Sequence, residues 1–530
     1  MIMIAWIGLA AMWAAFALAS QGGSALAGQA GTGDSATSKR QIRHRRIIYN
    51  DDGGEVRNMR TPDIQACLAQ RVVGLVGSHV DTVFYCGHDD FARVFYKSQV
   101  PGVEFSGAAG LAQAFEQGVD PNRELIEYCR KNGMEVFWSF RMNDVHDSFD
   151  HKPGKFKREH PQWLLGKADG KYPHRSIRDC IWSSLDFAVP EVRDHVFACI
   201  AEVLGKYDVD GAEFDYGRNA SLFRPTFEER PVEKEHLDTL NEFQRRLRKL
   251  GQETARKRNR PFLLAAVVPE TVKHCRNVGI DVETWAREGL VDLLIAGNGY
   301  VPFSMAAIEI IELGHKHGIP VYPRLNVNTG DRLFWRHVEA WRGAAANFWQ
   351  AGADGIYLFN AFDAKIGNQP ITEPLRELGD PQELAGMDKL YAVDLDLSKI
   401  SFGFGDVYFY MPREHLLPMS LAEPGNYAQF YVGEDLASAR EKGLNPRLTL
   451  RLRVDGLAGG SAPSFLLNDR QLTDGKVTER GQNQQWFEYA LEPSQVLQGT
   501  NKIAGRIQKA ADAQGLPPVL ARAELWVRYK

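Results

Sequence analysis

The segment VDGAEFDYGR, starting at Val209, sets Glu213 and Asp215 two residues apart, with apolar Ala212 and Phe214 alternating against them. In an extended strand alternate side chains point to opposite faces, so the two carboxylates share one face and the apolar pair the other. Two acids on the inner face of a sheet are costly to bury unless a ligand or a cation uses them. A second run, FLLAAVVPE from Phe262, carries Glu270 at the end of an apolar stretch. One carboxyl that protonates a leaving oxygen and another that attacks or activates water is the pairing that glycosidic hydrolysis requires. Apolar Val267, Val268 and Pro269 predict a raised pKa and the general-acid role for Glu270, which leaves Asp215 as nucleophile or base. Two plainer alternatives stand beside this: Asp215 pairs with Arg218 or Arg141 to shape a rim, or Glu270 belongs to the first turn of the next helix.

Around these acids the sequence offers a polar rim. The run EVFWSFRMNDVHD from Glu135 ends in Arg141, Asn143, Asp144, His146 and Asp147. With Glu213, the expected hydroxyl-binding set is Arg141, Asn143, Asp144, His88, Asp89, Asn298, Tyr300, Arg324, Asn326 and Asn360. Trp182 is the chosen stacking platform among Trp138, Trp163, Trp182 and Trp335, although core packing is the ordinary fate of any one Trp. A metal centre on His146 and Asp147 is disfavoured, since neighbouring residues face different ways. Two-carboxylate chemistry calls for no cofactor.

The elements that must position these residues form a regular series. Short β-rich runs begin at Arg46, Thr82, Glu135, Val209, Phe262, Leu293, Pro320 and Gly355, and amphipathic helical stretches lie between them. Eight βα units across residues 46–385 predict a (β/α)8 TIM barrel, whose active site lies at the C-terminal ends of the strands. A doubly wound sheet would carry a Gly-rich phosphate loop after its first strand, and this sequence has none. Past about residue 395 helical periodicity fades. Alternating runs from Leu448, Pro463, Gln485, Asn501 and Arg522, separated by turn residues, predict an all-β sandwich over 395–530 that binds carbohydrate or braces the barrel.

The ends and the composition set the compartment. Residues 1–19 are apolar, and Ala25-Leu26-Ala27 has the small-x-small form of a cleavage site, so 1–27 reads as an export signal and 28–45 as a flexible linker. The leader has no Lys or Arg, which keeps an uncleaved membrane anchor open as the alternative. The folded part is expected in the periplasm or outside the cell, with no membrane span after cleavage. Formal net charge is −4, from 63 basic and 67 acidic residues, so no global basic field points to nucleic acid. The six cysteines are too few for a disulfide scaffold, form no CxxC pair, and are expected as buried thiols.

The stretches EHPQWLLGKADG from Glu159 and LDFAVPEVRDHVFACIAEVLGKYDVDGAEFDY from Leu185 resemble the glycosyl hydrolase-like family 10 of bacterial exported proteins. The sequence keeps HPQW (160–163), PEVR (190–193), YDVDG (207–211) and the Asp215-Tyr216 pair, and it departs at Glu213, where that family usually has His. The resemblance implies an exported TIM-barrel glycoside hydrolase acting on a polysaccharide or on peptidoglycan glycan. Asp on strand four and Glu on strand five also resemble the α-amylase superfamily in placement, although Asn326 stands where that group has a strand-seven Asp. Two rival functions remain: a non-catalytic glycan-binding barrel, and a metal-assisted polysaccharide deacetylase using His88, Asp89, His146 and Asp147. Retention is expected over inversion if the two acids face each other across adjacent strands.

Overall fold

The computed structural model describes residues 43–174, 176–297, 303, 305, 307–326, 333–363, 365–366, 369–371, 373–393, 417–457, 462–481, 483–507 and 517–529. The expected signal, nearly all of the expected linker, Asn298 and Tyr300 lie outside the described residues. The chain divides into Met1–Arg43 and His44–Lys530, and every described strand and helix lies in the second unit.

All eight β-rich runs form strands: β1 (Ile47–Asp51), β2 (Val80–Tyr85), β3 (Glu135–Arg141), β4 (Gly211–Asp215), β5 (Leu263–Val268), β6 (Leu293–Ala296), β7 (Val321–Asn326) and β8 (Ile356–Phe359). They pair in parallel in chain order, and β1 also pairs with β8, so the sheet closes into a barrel. Inward positions Ile48, Phe84, Phe137, Ala265, Val267, Leu293, Ile295, Tyr322, Tyr357 and Phe359 form one buried cluster, the plug that a small barrel needs. Glycine at 211 is a packing requirement. A Cβ there would come within 2.3 Å of the Phe137 ring and 2.5 Å of the Leu263 carbonyl.

The outward faces, including Ala212 and Phe214, join the larger core under the helices. Helix α1 (Pro121–Lys131) opens with proline at its first position, behind Asp120, whose side chain accepts from the Asn122 amide. Helix α2 (Pro190–Lys206) is the PEVR helix that leads into β4, and α3 (Lys234–Arg258) follows β4. Strand β5 runs into α4 (Val272–Asn277), and α5 (Val338–Gln350) follows β7. A small three-stranded sheet (His88–Asp90, Arg93–Val94, Glu104–Phe105) branches off after β2.

Beyond the barrel the chain forms antiparallel sheets. Their main strands are β9 (Lys389–Val393), β10 (Tyr427–Val432), β11 (Arg447–Asp455), β12 (Ser464–Leu467), β13 (Gln484–Leu491), β14 (Gly499–Arg506) and β15 (Val519–Arg528). One sheet runs β9-β15-β11-β13 and continues to Lys476–Arg480; the other runs β10-β14-β12 and continues to Arg470–Gln471. Phe465 of the second sheet meets Phe487 and Tyr489 of the first at ring distances of 6.1 and 6.4 Å. The five runs read from sequence all become strands, whereas β9, β10 and Lys476–Arg480 carry too weak an alternation to be seen beforehand. Strand β9 lies upstream of the texture change near 395. Among the described residues no helix is long and apolar enough to cross a membrane. All six cysteines are free and buried.

Candidate active site

Strand alternation places Glu213 and Asp215 inside the barrel. In the register across β3, β4 and β5, Glu213 lies beside Ser139 and Ala265, and Asp215 lies beside Arg141 and Val267, one step nearer the C-terminal mouth. Both acids are buried, Glu213 completely. Asp215 finds its cation across the barrel: Arg324 Nη1 on β7 is 3.6 Å from its Oδ1. The same guanidinium lies over the Phe359 ring, 3.4 Å from the centroid, and none of its nitrogens makes a hydrogen bond within the described residues. Asp215 therefore pairs with neither of the arginines expected from sequence.

Those two arginines serve Asp144 instead. Its carboxylate contacts Arg141 at 3.2 Å, Arg218 at 3.7 Å and the His146 Nδ1 at 2.6 Å. Burial opposes ionisation, but His146, Arg141 and Arg218 outweigh it and hold Asp144 well below the usual carboxylate range.

Glu270 lies two residues past the end of β5, ahead of the Thr271 cap of α4. Its Oε2 is 3.5 Å from the Nδ1 of His274. A Cβ added at Gly297, just beyond β6, would lie 3.8 Å from Glu270 Oε1 and 3.5 Å from the Arg324 Cβ. Gly297 also has a φ of 121°, a conformation that favours glycine, so the backbone passes the mouth where side chains from β5 and β7 converge. Burial lifts the Glu213 carboxyl. Desolvation and the neighbouring Asp215 push it up to about 8, while Ser139, Tyr357 and Arg324 pull the other way. The Tyr357 hydroxyl donates to Glu213 Oε1 at 2.8 Å.

The rest of the expected rim divides. Asn326 ends β7 and is buried near the mouth, and Asn360 follows β8 with φ 49°. Asn143 is committed to the backbone: it donates to the carbonyls of Leu185 and Ser221 at 3.0 and 2.6 Å and accepts from the Leu185 amide at 2.9 Å. His88 packs between Phe91 and Phe140, and its Nε2 accepts from the Arg141 amide at 3.2 Å. Burial and Arg141 push His88 down to about 3, so it is a neutral core residue. Asp89 sits in the small branching sheet, bound to Arg57 at 2.8 Å and to the Ser106 hydroxyl at 2.8 Å. Trp182 is buried and donates from Nε1 to the Ser148 carbonyl at 3.3 Å, so it offers no open face for stacking. Asp147 is tied to Lys157 at 3.0 Å and to Ser183 at 2.6 Å. The four residues of the deacetylase alternative are thus held by different partners and form no common ligand set.

Sequence reasoning missed two features. Tyr357 sits at an inward position of GIYLFNAF, and β alternation alone could have placed it facing Glu213. Asp51, Asp52 and Glu55 gather at the end of β1 with ligand oxygens within 4.8 Å of one another. Arg71 serves all three, at 2.9 Å from Asp51, at 3.3 Å from Glu55 and in direct contact with Asp52. The DDGGE run that ends the first strand was the available signal.

Residues 65–226 match the family model described as Glycosyl hydrolase-like 10. The match takes in β2 to β4 with Asp215 and stops short of Glu270 and Arg324. The chain is similar to glycosyl hydrolase DigH of Escherichia coli (strain K12), 33% identical over 103 residues, which covers 18% of this chain and 22% of that protein. The protein of the same name from Shigella flexneri matches to the same extent. The chain thus spans about a fifth of the length of these curated relatives. Among solved structures, it is similar to the PgaB (BpsB) glycoside hydrolase domain from Bordetella bronchiseptica, at 11% identity over 64% of this chain and 99% of that one, with a TM-score of 0.40. It is also similar to α-L-fucosidase isoenzyme 2 from Paenibacillus thiaminolyticus, at 15% identity over 65% and 49%, with a TM-score of 0.38. The closed eight-stranded parallel barrel thus contains a stretch, residues 65–226, that is similar to the Glycosyl hydrolase-like 10 family.

Proposed function

We propose that the protein is an exported glycoside hydrolase that cleaves a polysaccharide or oligosaccharide with two carboxylates, Asp215 as nucleophile or base and Glu270 as general acid. The observation that carries this reading is the position of the two acids. One is the last residue of β4 and the other lies just past the end of β5, both are buried, and Arg324 is 3.6 Å from Asp215. Neighbouring barrel strands bring their C-terminal ends to one mouth, where one acid can meet the anomeric carbon and the other the leaving oxygen. Arg324 faces Asp215 at 3.6 Å and orients it. Its unmade hydrogen bonds suit a hydroxyl-rich ligand, because a buried guanidinium favours any acceptor that completes its fork. Asn326 and Asn360 border the same mouth and would add hydroxyl contacts.

The test is sugar release from a panel of polysaccharides and peptidoglycan, with Asp215→Asn and Glu270→Gln compared with the wild type. Both variants should lose release by about 10²–10⁴-fold, the contribution typical of one acid–base or nucleophilic group. Full release by either variant would remove that residue from the mechanism. Glycan binding without release by the wild type would instead favour a binding barrel, in which the Asp215–Arg324 pair is structural.

A further inference from the structure

Glu213 and Asp215 point inward two residues apart, and the cation that meets them is Arg324, 3.6 Å from Asp215. Four strands supply the groups nearest Glu213 in register or by hydrogen bond or charge. Strand β3 contributes the Ser139 hydroxyl and, one step higher, Arg141, which is engaged by Asp144. Strand β5 contributes Ala265 and Val267, β7 contributes Arg324, and β8 contributes Tyr357. Tyr357 donates to Glu213 Oε1, and Oε2 makes no hydrogen bond of ordinary geometry. A second anion beside Asp215, fully buried and with one oxygen unmatched, is costly to hold. A proton on one carboxyl removes that cost, and it belongs on the acid farther from the guanidinium.

We infer that Glu213 rests as a neutral carboxylic acid and is a positioning residue: it holds a proton beneath Asp215 so that Asp215 is the single anion matched to Arg324. The proton sits on Oε2, opposite the oxygen that accepts from Tyr357. Loss of that proton places a second negative charge on the same strand face, which loosens the Asp215–Arg324 match. Burial and Asp215 place this loss near pH 8. A histidine at this position would respond in the opposite sense, neutral at high pH and cationic at low pH. This inference concerns the resting protein; its link to turnover rests on the hydrolase reading above.

The test reads the proton directly, with no substrate. Infrared spectra of the whole folded chain, wild type minus Glu213→Gln, with glutamate carboxyl carbons ¹³C-labelled, should show a protonated-carboxyl C=O band at pH 6. The band should fade as pH rises through about 8. The variant Tyr357→Phe removes a donor that favours the anion, so its band should persist to higher pH; this measurement also serves if Glu213→Gln does not fold. In turnover, the fall of kcat/KM above about pH 8 should be present in the wild type and absent in Glu213→Gln. A carboxylate already ionised at pH 6 would overturn the inference whether or not sugar is released. A protonated band in a protein that hydrolyses no glycan would leave the inference standing and remove the hydrolase reading.

Discussion

At the scale of single residues, the site is governed by which charge each guanidinium matches. Arg141 and Arg218 are taken by Asp144, so among the described residues it is Arg324 that matches Asp215. Arg324 is buried and braced on the Phe359 ring, which fixes its distance to the carboxylate. Removing one partner of a buried ion pair leaves a desolvated charge with nothing to offset it, at a cost of about 3–5 kcal/mol. Arg324→Met should therefore destabilise the protein by that order in urea unfolding at pH 7. The double variant with Asp215→Asn should recover most of the loss, because both charges are then gone. Equal losses in the single and double variants would show that the pair does not act as a unit. The three arginines were visible in the sequence, but their assignment was not, since Arg324 lies 109 positions from Asp215 and meets it only across the closed barrel.

At the scale of elements, alternation and caps made the barrel legible. Every inward carboxylate on β4 follows from period two, and every barrel strand was found in its run. The strand-end residues were harder. Residues past the last ladder hydrogen bond leave the alternation, so Asn143, His88 and Asp89 could not be given a direction from sequence. Asn143 shows what such a residue does instead: it ties the turn after β3 to Leu185 and Ser221, holding the insertion that precedes α2 against the loop that follows β4. Asn143→Ala should cost about 2–4 kcal/mol, since two buried carbonyls and one amide lose a partner. Asn143→Asp should cost a similar amount, because a carboxylate cannot donate to the two carbonyls. Thermal melts of both variants check this, and a near-wild-type Asn143→Asp would mean that the donor bonds carry little.

At the scale of the whole molecule, the barrel and the C-terminal sheets are joined through α5. Asn347 is fully buried, donates to the Tyr431 carbonyl at 2.9 Å and accepts from the Gly433 amide at 2.6 Å. Gly343 on the same helix packs so closely on β9 that a Cβ would come within 2.2 Å of the Leu390 carbonyl. His337, just before the helix, meets Trp526 of β15 edge-on at 5.1 Å. Such a seam should make the two parts unfold together. Asn347→Leu, which removes both hydrogen bonds and leaves two backbone groups unmatched, should lower the melting temperature by several degrees and split a single calorimetric transition into two. A variant that melts in one unshifted transition would show that the seam does not couple them.

The sequence by itself determined the periodicities: eight βα units, a carboxylate pair on one face of the fourth strand, a glutamate at the end of the fifth, and antiparallel strands near the C-terminus. These are local properties, set by steric alternation and by the need to bury apolar faces, and a linear chain displays them. Tertiary structure alone decided the pairings. It gave Asp144 rather than Asp215 to Arg141 and Arg218, set Tyr357 against Glu213, gathered Asp51, Asp52 and Glu55 on Arg71, and brought β9 alongside β15. The reason is physical. Whether a buried polar group is charged, neutral or hydrogen-bonded depends on the atoms within a few ångströms of it. In a closed barrel those atoms come from strands far apart in the chain.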